Sequence, residues 1–171
     1  MSGPSNTKQS LIHSLNLSPH PEGGYFSETY RSQETCTPPR GVRSISTAIY
    51  FLLGKQDRSR FHVIQSDEIW HHYDGAPLEI HEITQEGHYK VTYLGKDFQH
   101  GQVPQYCVPK GHIFGSKVSL PSLSPKDKLY SLVGCTVAPG FDFNDFHLFS
   151  TSELVNMYPN LSEKIQGFFK D

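Results

Sequence analysis

The stretch Ser59–Gly75, S-R-F-H-V-I-Q-S-D-E-I-W-H-H-Y-D-G, holds the side chains best suited to chemistry in this chain. Read as strands, it alternates: Glu68, Trp70 and His72 fall on one face, and Asp67, Ile69, His71 and Tyr73 on the other. His62 and Ile64 share a face of the strand before it. Buried ionisable groups need partners, so a face of His, Glu, Trp and His reads as the lining of a pocket. An imidazole titrates near neutrality, which suits His62 to general-base catalysis with Glu68 as its orienting carboxylate. The plainer alternative is a structural His–Glu hydrogen bond inside a barrel. Trp70 suits stacking on a sugar or a base, and equally suits a core. Parity with Glu68 turns His72 rather than His71 inward. Arg60 would draw a phosphate or carboxylate to a pocket mouth, or else lie solvated in a turn. Glu79 and His81 share a face and are candidates for a barrel floor.

The elements that must position these groups are short strands between turns. Asn6 or Thr7 caps a first helix with the apolar stripe Leu11, Ile12 and Leu15. Strands are expected over Tyr25–Arg31, Ser46–Leu53, Phe61–Ile64, Glu68–Tyr73, Pro77–Thr84, Tyr89–Leu94, Gln105–Val108, His112–Val118 and Leu129–Ala138. Residues 32–41 read as a loop, Asp74-Gly75 as a hairpin turn, and Ser119–Lys128 as a polar Pro/Ser linker. Gly23-Gly24 reads as a backbone requirement for glycine. Asp142, Asn144 and Asp145 sit in a loop anchored by Phe141, Phe143 and Phe146. Ser150-x-x-Glu153 and Asn160-x-x-Glu163 are capping-box-like helix starts. These elements imply an all-β fold, a jelly-roll barrel or a sandwich, with short N- and C-terminal helices. It is one domain: a helix and arm over 1–18, the barrel over 19–149, and a helical segment over 150–171.

Composition removes some classes of function. The formal net charge is −2 and the lysines and arginines form no block, which argues against nucleic acid or an anionic membrane as partner. No apolar run has the length of a membrane span, and the first ten residues lack the apolar segment of a signal peptide. Cys36, Cys107 and Cys135 are odd in number and far apart. They are expected to be reduced thiols in a cytoplasmic protein, with Cys107 and Cys135 as small buried residues.

The spacing from His62 to Glu68 to Gly75 resembles the first cupin motif. Pro109-Lys110-Gly111, followed by Ile113-Phe114, resembles the second. His20–Ser32, Thr47–Leu53, S-R-F-H, S-D-E-I-W-H and Val137–Phe146 together resemble one uncharacterised cupin family, Cupin_5. The resemblance implies a cupin double-stranded β-helix. Cupin metal sites take two His and a Glu from the first motif and a His from the second. Ile64 and Phe114 occupy two of those four positions, so no metal or other cofactor is expected, unless His72, Glu79 or His81 rebuilds the shell.

The metal-free cupins most similar in pattern are deoxysugar-nucleotide 3,5-epimerases, in which a His removes a proton beside a carbonyl and a Tyr returns one. That parallel implies His62 as base, Glu28 as a ligand contact, and Tyr25, Tyr50 or Tyr130 as acid. The expected function is isomerisation or epimerisation of a small carbohydrate derivative, phosphorylated and nucleotide-linked forms included. The alternatives are a non-catalytic small-molecule-binding cupin and a metal-dependent one. The resemblance also implies a homodimer, with the strand after Gly24 crossing to its neighbour.

Overall fold

The computed structural model describes residues 7–119 and 129–170. Among them the helix α1 (Lys8–Ser14) leads into strands β1 (Ser18–Pro19), β2 (Tyr25–Arg31), β3 (Thr35–Cys36), β4 (Arg43–Ser44), β5 (Thr47–Gly54) and β6 (Arg58–Ile64). They continue as β7 (Asp67–Gly75), β8 (Leu78–Ile83), β9 (Tyr89–Leu94), β10 (Gln105–Val108), β11 (Ile113–Val118), β12 (Tyr130–Ala138) and β13 (Phe146–Leu148). Helices α2 (Thr151–Met157) and α3 (Ser162–Phe168) end the chain. One sheet has the order β1-β2-β5-β12-β7-β10 and the other β13-β6-β11-β8-β9, while β3 and β4 pair alone. The fold is an all-β jelly roll with small helices at either end.

Alternation along each strand sorts the side chains into three layers. Phe51, Leu53, Trp70, Leu78, Ile80, Phe114 and Val133 pack between the two sheets. On the outer face of the six-stranded sheet, Leu52, Tyr130 and Leu132 meet Leu11 and Leu17 from α1 and its exit. Phe61, Ile83 and Ile113 on the outer face of the other sheet meet Leu154, Ile165 and Phe168 from α2 and α3. Leu154 and Ile165 are fully buried, each stabilising by roughly 1.5–3 kcal/mol. The helices therefore cover sheet faces, and none of them is long and apolar enough to cross a membrane.

Local chemistry explains the ends of these elements and corrects some expectations. Thr7 caps α1 through its side chain on the Ser10 N–H, and Ser150 and Glu153 form a reciprocal box on α2. Asn160 caps nothing: Pro159–Leu161 is a 3₁₀ turn, and Leu161 precedes α3 without a side-chain cap. Asp74-Gly75 is not a hairpin turn, because β7 pairs with β10 and β12 while β8 pairs with β9 and β11. The chain instead changes sheets there. Gly75 has φ +88°, and a Cβ would lie 2.2 Å from the Tyr130 carbonyl oxygen, so the corner requires glycine. The 32–41 loop contains β3, and all of the expected Pro/Ser linker but Ser119 lies outside the described residues.

Candidate functional site

One end of the space between the sheets is not filled by side chains. A cavity of about 300 Å³ opens there. Its walls come from Phe26, Glu28 and Arg31 on β2, Thr47, Ile49 and Phe51 on β5, and His62 and Ile64 on β6. Glu68 on β7, Cys135 and Val137 on β12, and the loop residues Phe141, Asp142 and Phe143 complete them, together with His20 and Glu22 from the arm before β2.

Two backbone irregularities build this lining. In β2 the register slips between Glu28 and Tyr30, so that Glu28 pairs with Ile49 and Arg31 with Thr47. A bulge of this kind resets the alternation. Arg31 thereby joins Phe26 and Glu28 on the inner face, and Tyr30 turns outward with 54% exposure. The second is the arm around Gly23, whose φ is +112° and where a Cβ would lie 2.0 Å from the Arg58 carbonyl oxygen. Arg60 fastens the arm: its N–H donates to the Glu22 carbonyl at 2.9 Å and its Nη2 to the Pro21 carbonyl at 2.7 Å. The turn aims Glu22 inward, where it is 7% exposed.

Glu22 is the centre of the floor. Its Oε1 accepts from Ser59 Oγ at 2.8 Å, and its Oε2 lies 3.2 Å from His62 Nε2 and 3.6 Å from His20 Nδ1. The two imidazoles are held in opposite tautomers. His62 Nδ1 faces the Arg60 carbonyl at 2.7 Å and must donate to it, which leaves Nε2 as the basic atom. His20 Nδ1 accepts from the Glu22 N–H at 3.2 Å, which places its proton on Nε2. Burial lowers His62 to about 4 and lowers His20 as well, while burial raises Glu22 against the pull of His20, Ser59 and Arg60.

Glu68 is on the other sheet. Burial, and then Glu22, raise it to about 8, with the Cys135 thiol as its hydrogen-bond partner. Near neutral pH it is a carboxylic acid. Burial and the adjacent Glu68 likewise keep the Cys135 thiol protonated. At the mouth, Arg31 meets Glu28 through two bonds of 2.9 and 2.8 Å and donates to the Phe141 carbonyl at 3.1 Å. The Phe141–Phe143 rim hangs from Asp145, which accepts both Nε and Nη2 of Arg43 at 2.8 Å and Arg40 Nε at 2.9 Å. His20 stacks on Phe143 at 6.4 Å and meets Phe26 edge-on at 4.6 Å.

The structure brings His62, Glu68 and Glu28 together on the cavity and places the other expected residues elsewhere. Glu68 is not the orienting partner of His62, because Glu22 and the Arg60 carbonyl hold that ring. Trp70 lies below the cavity between Phe51 and Phe114, at 5.9 and 6.2 Å. His72 is buried on the same face, farther along β7, with Nε2 on the Ala76 carbonyl at 3.0 Å. Arg60 is exposed and faces the arm's carbonyls. Glu79 and His81 pair at 2.9 Å on the outer face, where the His81 ring meets Phe168 of α3, so they do not floor the barrel. Tyr25 and Tyr130 pack in the outer cluster beneath α1, with Tyr50 against it, so none of the three expected acids reaches the cavity. Cys135 is buried as expected and also lines the cavity, whereas Cys107 is exposed.

Sequence reasoning missed His20, Glu22, Arg31 and Cys135. The signal for the first two was present in H-P-E-G-G: glycines that force a turn also aim whatever precedes them.

The residues do not fit a cupin metal ion. Two of the four ligand positions are the hydrocarbons Ile64 and Phe114, and the Phe114 ring centre is 4.2 Å from that of His62. Among the described residues no three His, Cys, Asp or Glu side chains converge as ligands.

A jelly roll with an internal cavity, and with His62, Glu68 and Gly75 at cupin spacing, defines the class. The chain belongs to Cupin_5 of the cupin superfamily (DUF985), whose family profile matches residues 9–149. It is 32% identical over 165 residues to an uncharacterised protein of Saccharomyces cerevisiae, covering 90% of this chain and 80% of that one. A hypothetical protein from Leishmania major superposes with a TM-score of 0.89 at 37% identity, covering 95% of this chain and 98% of the other. The protein SO0799 of Shewanella oneidensis superposes with a TM-score of 0.84 at 39% identity, covering 94% and 96%.

Proposed function

We propose that this cupin is a proton-transfer enzyme, an isomerase or epimerase of a small hydroxycarbonyl compound of the carbohydrate type. The observation that supports it is the pair of histidines held in opposite tautomers on one cavity. His62 Nε2 takes the proton from the carbon beside the ligand's carbonyl, and the Glu22 carboxylate, its Oε2 3.2 Å away, holds the imidazolium that forms. His20 Nε2–H and the Glu68 carboxylic acid are the donors for the carbonyl oxygen as negative charge develops on it. A neutral imidazole and a neutral carboxylic acid can both act as donors at neutral pH. None of the tyrosines expected to return the proton from the opposite face lines the cavity. Return of the proton to the neighbouring carbon, as that carbon's hydroxyl proton replaces the one given to the carbonyl oxygen, completes an isomerisation without a cofactor; an epimerisation takes a solvent proton on the opposite face.

The test is solvent deuterium exchange into a panel of keto sugars. Exchange is expected at the carbon next to the carbonyl, reduced by about 10²–10⁴-fold in His62→Asn. Ligand-induced thermal stabilisation with no exchange anywhere in the panel refutes catalysis and leaves a binding protein.

We also infer a homodimer. Among the described residues β1 pairs only with Tyr25 and Phe26 and no other strand meets the outer edge of β2 beyond them, and such edges invite pairing. A light-scattering mass of one chain at micromolar concentration overturns this.

A further inference from the structure

We propose that the cavity excludes anionic ligands, the phosphorylated, carboxylated and nucleotide-linked ones, and takes the uncharged sugar, an inference that deepens the proton-transfer reading and rests on it for the ligand's carbonyl. It follows from an account of every charge that faces the cavity. Arg31 is the cation of the lining among the described residues, and it is already neutralised. Glu28 binds both its Nε and its Nη2, Nη2 also donates to the Phe141 carbonyl, and Asp142 adds a second negative charge beside it.

The neighbouring arginines are engaged elsewhere. Arg40 and Arg43 hold Asp145, and Arg60 holds the carbonyls of Pro21 and Glu22. The floor adds Glu22 and Glu68, which are neutral or negative, and His20 and His62, which burial keeps neutral. In each protonation state that burial favours, the cavity is therefore neutral or negative. A phosphate needs paired donors on a positive centre, and burying it without one is strongly unfavourable. Arg31 Nη1, with two carboxylates around its guanidinium, does not supply that centre.

Size agrees with charge. A cavity of about 300 Å³ is at the small end of the usual range for ligand pockets, roughly 300–1,000 Å³. It suits a molecule the size of a monosaccharide. Phe26, Phe51 and Phe141 give it apolar walls to set against one face of a sugar ring.

The experiment compares matched probes by protein-observed NMR titration at millimolar concentration: D-fructose, D-fructose 6-phosphate and 1-amino-1-deoxy-D-fructose, with the 6-deoxy sugar as a fourth. The uncharged members are expected to bind about tenfold or more tightly than the phosphate, the ratio for one unmatched charge-assisted contact. Glu28→Gln, on the exposed rim, releases Arg31 and should narrow that preference by about tenfold through tighter phosphate binding. A wild-type preference for the phosphate over the uncharged sugar overturns the inference, as does failure of every uncharged member to bind, whereas an amine that binds as well as the uncharged sugar agrees with a lining that is neutral or negative. Deuterium exchange measured on the same set separates the two ideas. Uncharged sugars that bind without exchange leave the charge inference standing and remove the enzyme. Exchange confined to the phosphate does the reverse.

Discussion

Glu68→Gln should change how folding stability depends on pH, and the sign can be worked from the site. Glu68 is 8% exposed and held at about 8, against an ordinary 4.5, by burial first and Glu22 second. Such a carboxyl binds its proton more tightly in the folded chain than in the unfolded one. Its stabilising contribution is complete below about 4.5 and is lost as pH rises through about 8. At about 1.36 kcal/mol per pH unit, that interval sets a ceiling of about 5 kcal/mol. Glu22 shares the linkage, so we expect about 2–4 kcal/mol.

His62 titrates in the opposite sense, gaining stability for the protein between about 4 and 6.5. Both chains keep it, so it cancels in the comparison. The assay is urea unfolding of wild type and Glu68→Gln at about pH 5, 6.5 and 8.5, with the midpoint and slope fitted at each. The variant should gain on wild type steadily across that range. A difference between the two chains that stays constant with pH refutes the reasoning, because it means that Glu68 is ionised in the folded protein throughout.

Three further outcomes follow from the same geometry. The exchange reaction should run on a plateau between about 4 and about 8, since His62 must be unprotonated and Glu68 protonated; a pH–rate profile checks it, and Glu68→Gln should abolish the alkaline limb. Asp145→Asn should destabilise by about 3 kcal/mol in denaturant unfolding by leaving the buried Arg43 unmatched. The hydrogen bond from Arg43 holds Asp145 below its ordinary range, so the deficit should shrink as pH falls through that lowered value. Gly23→Ala places a Cβ 2.0 Å from the Arg58 carbonyl oxygen at a φ of +112°, and should cost roughly 2–4 kcal/mol by thermal unfolding. It should also move the His62 imidazole resonances, because Glu22 is displaced with the turn.

Several features were legible from the chain alone, and for local reasons. Alternation over Glu68–His72 separated the inner from the outer face, since a pleated strand has no other periodicity. The spacing of His62, Glu68 and Gly75 named the barrel, and Ile64 and Phe114 were visible at two of the positions where that motif carries ligands. Thr7 and Ser150 announced their helices through caps that act within three residues. Local signals also misled. Asp74-Gly75 has the composition of a hairpin, yet it turns the chain from one sheet to the other, because the partners of β7 and β8 lie far along the sequence.

What only the tertiary structure decided is the chemistry of the floor. Glu22 stands 40 residues from His62 in the chain, and its approach to Nε2 depends on Arg58 and Arg60 receiving the Gly23 turn. The tautomers of His20 and His62 depend on two backbone groups that no side-chain pattern reports. Arg31 faces inward because a bulge at Thr29 shifts the register by one residue, a shift set by pairing with β5 rather than by the composition of β2. Tyr25, Tyr50 and Tyr130 fall on the outer face by plain strand alternation, Tyr50 with Leu52 and Tyr130 with Leu132. A residue's type records what it can do, but which of its atoms meets which partner is settled by contacts distant in sequence.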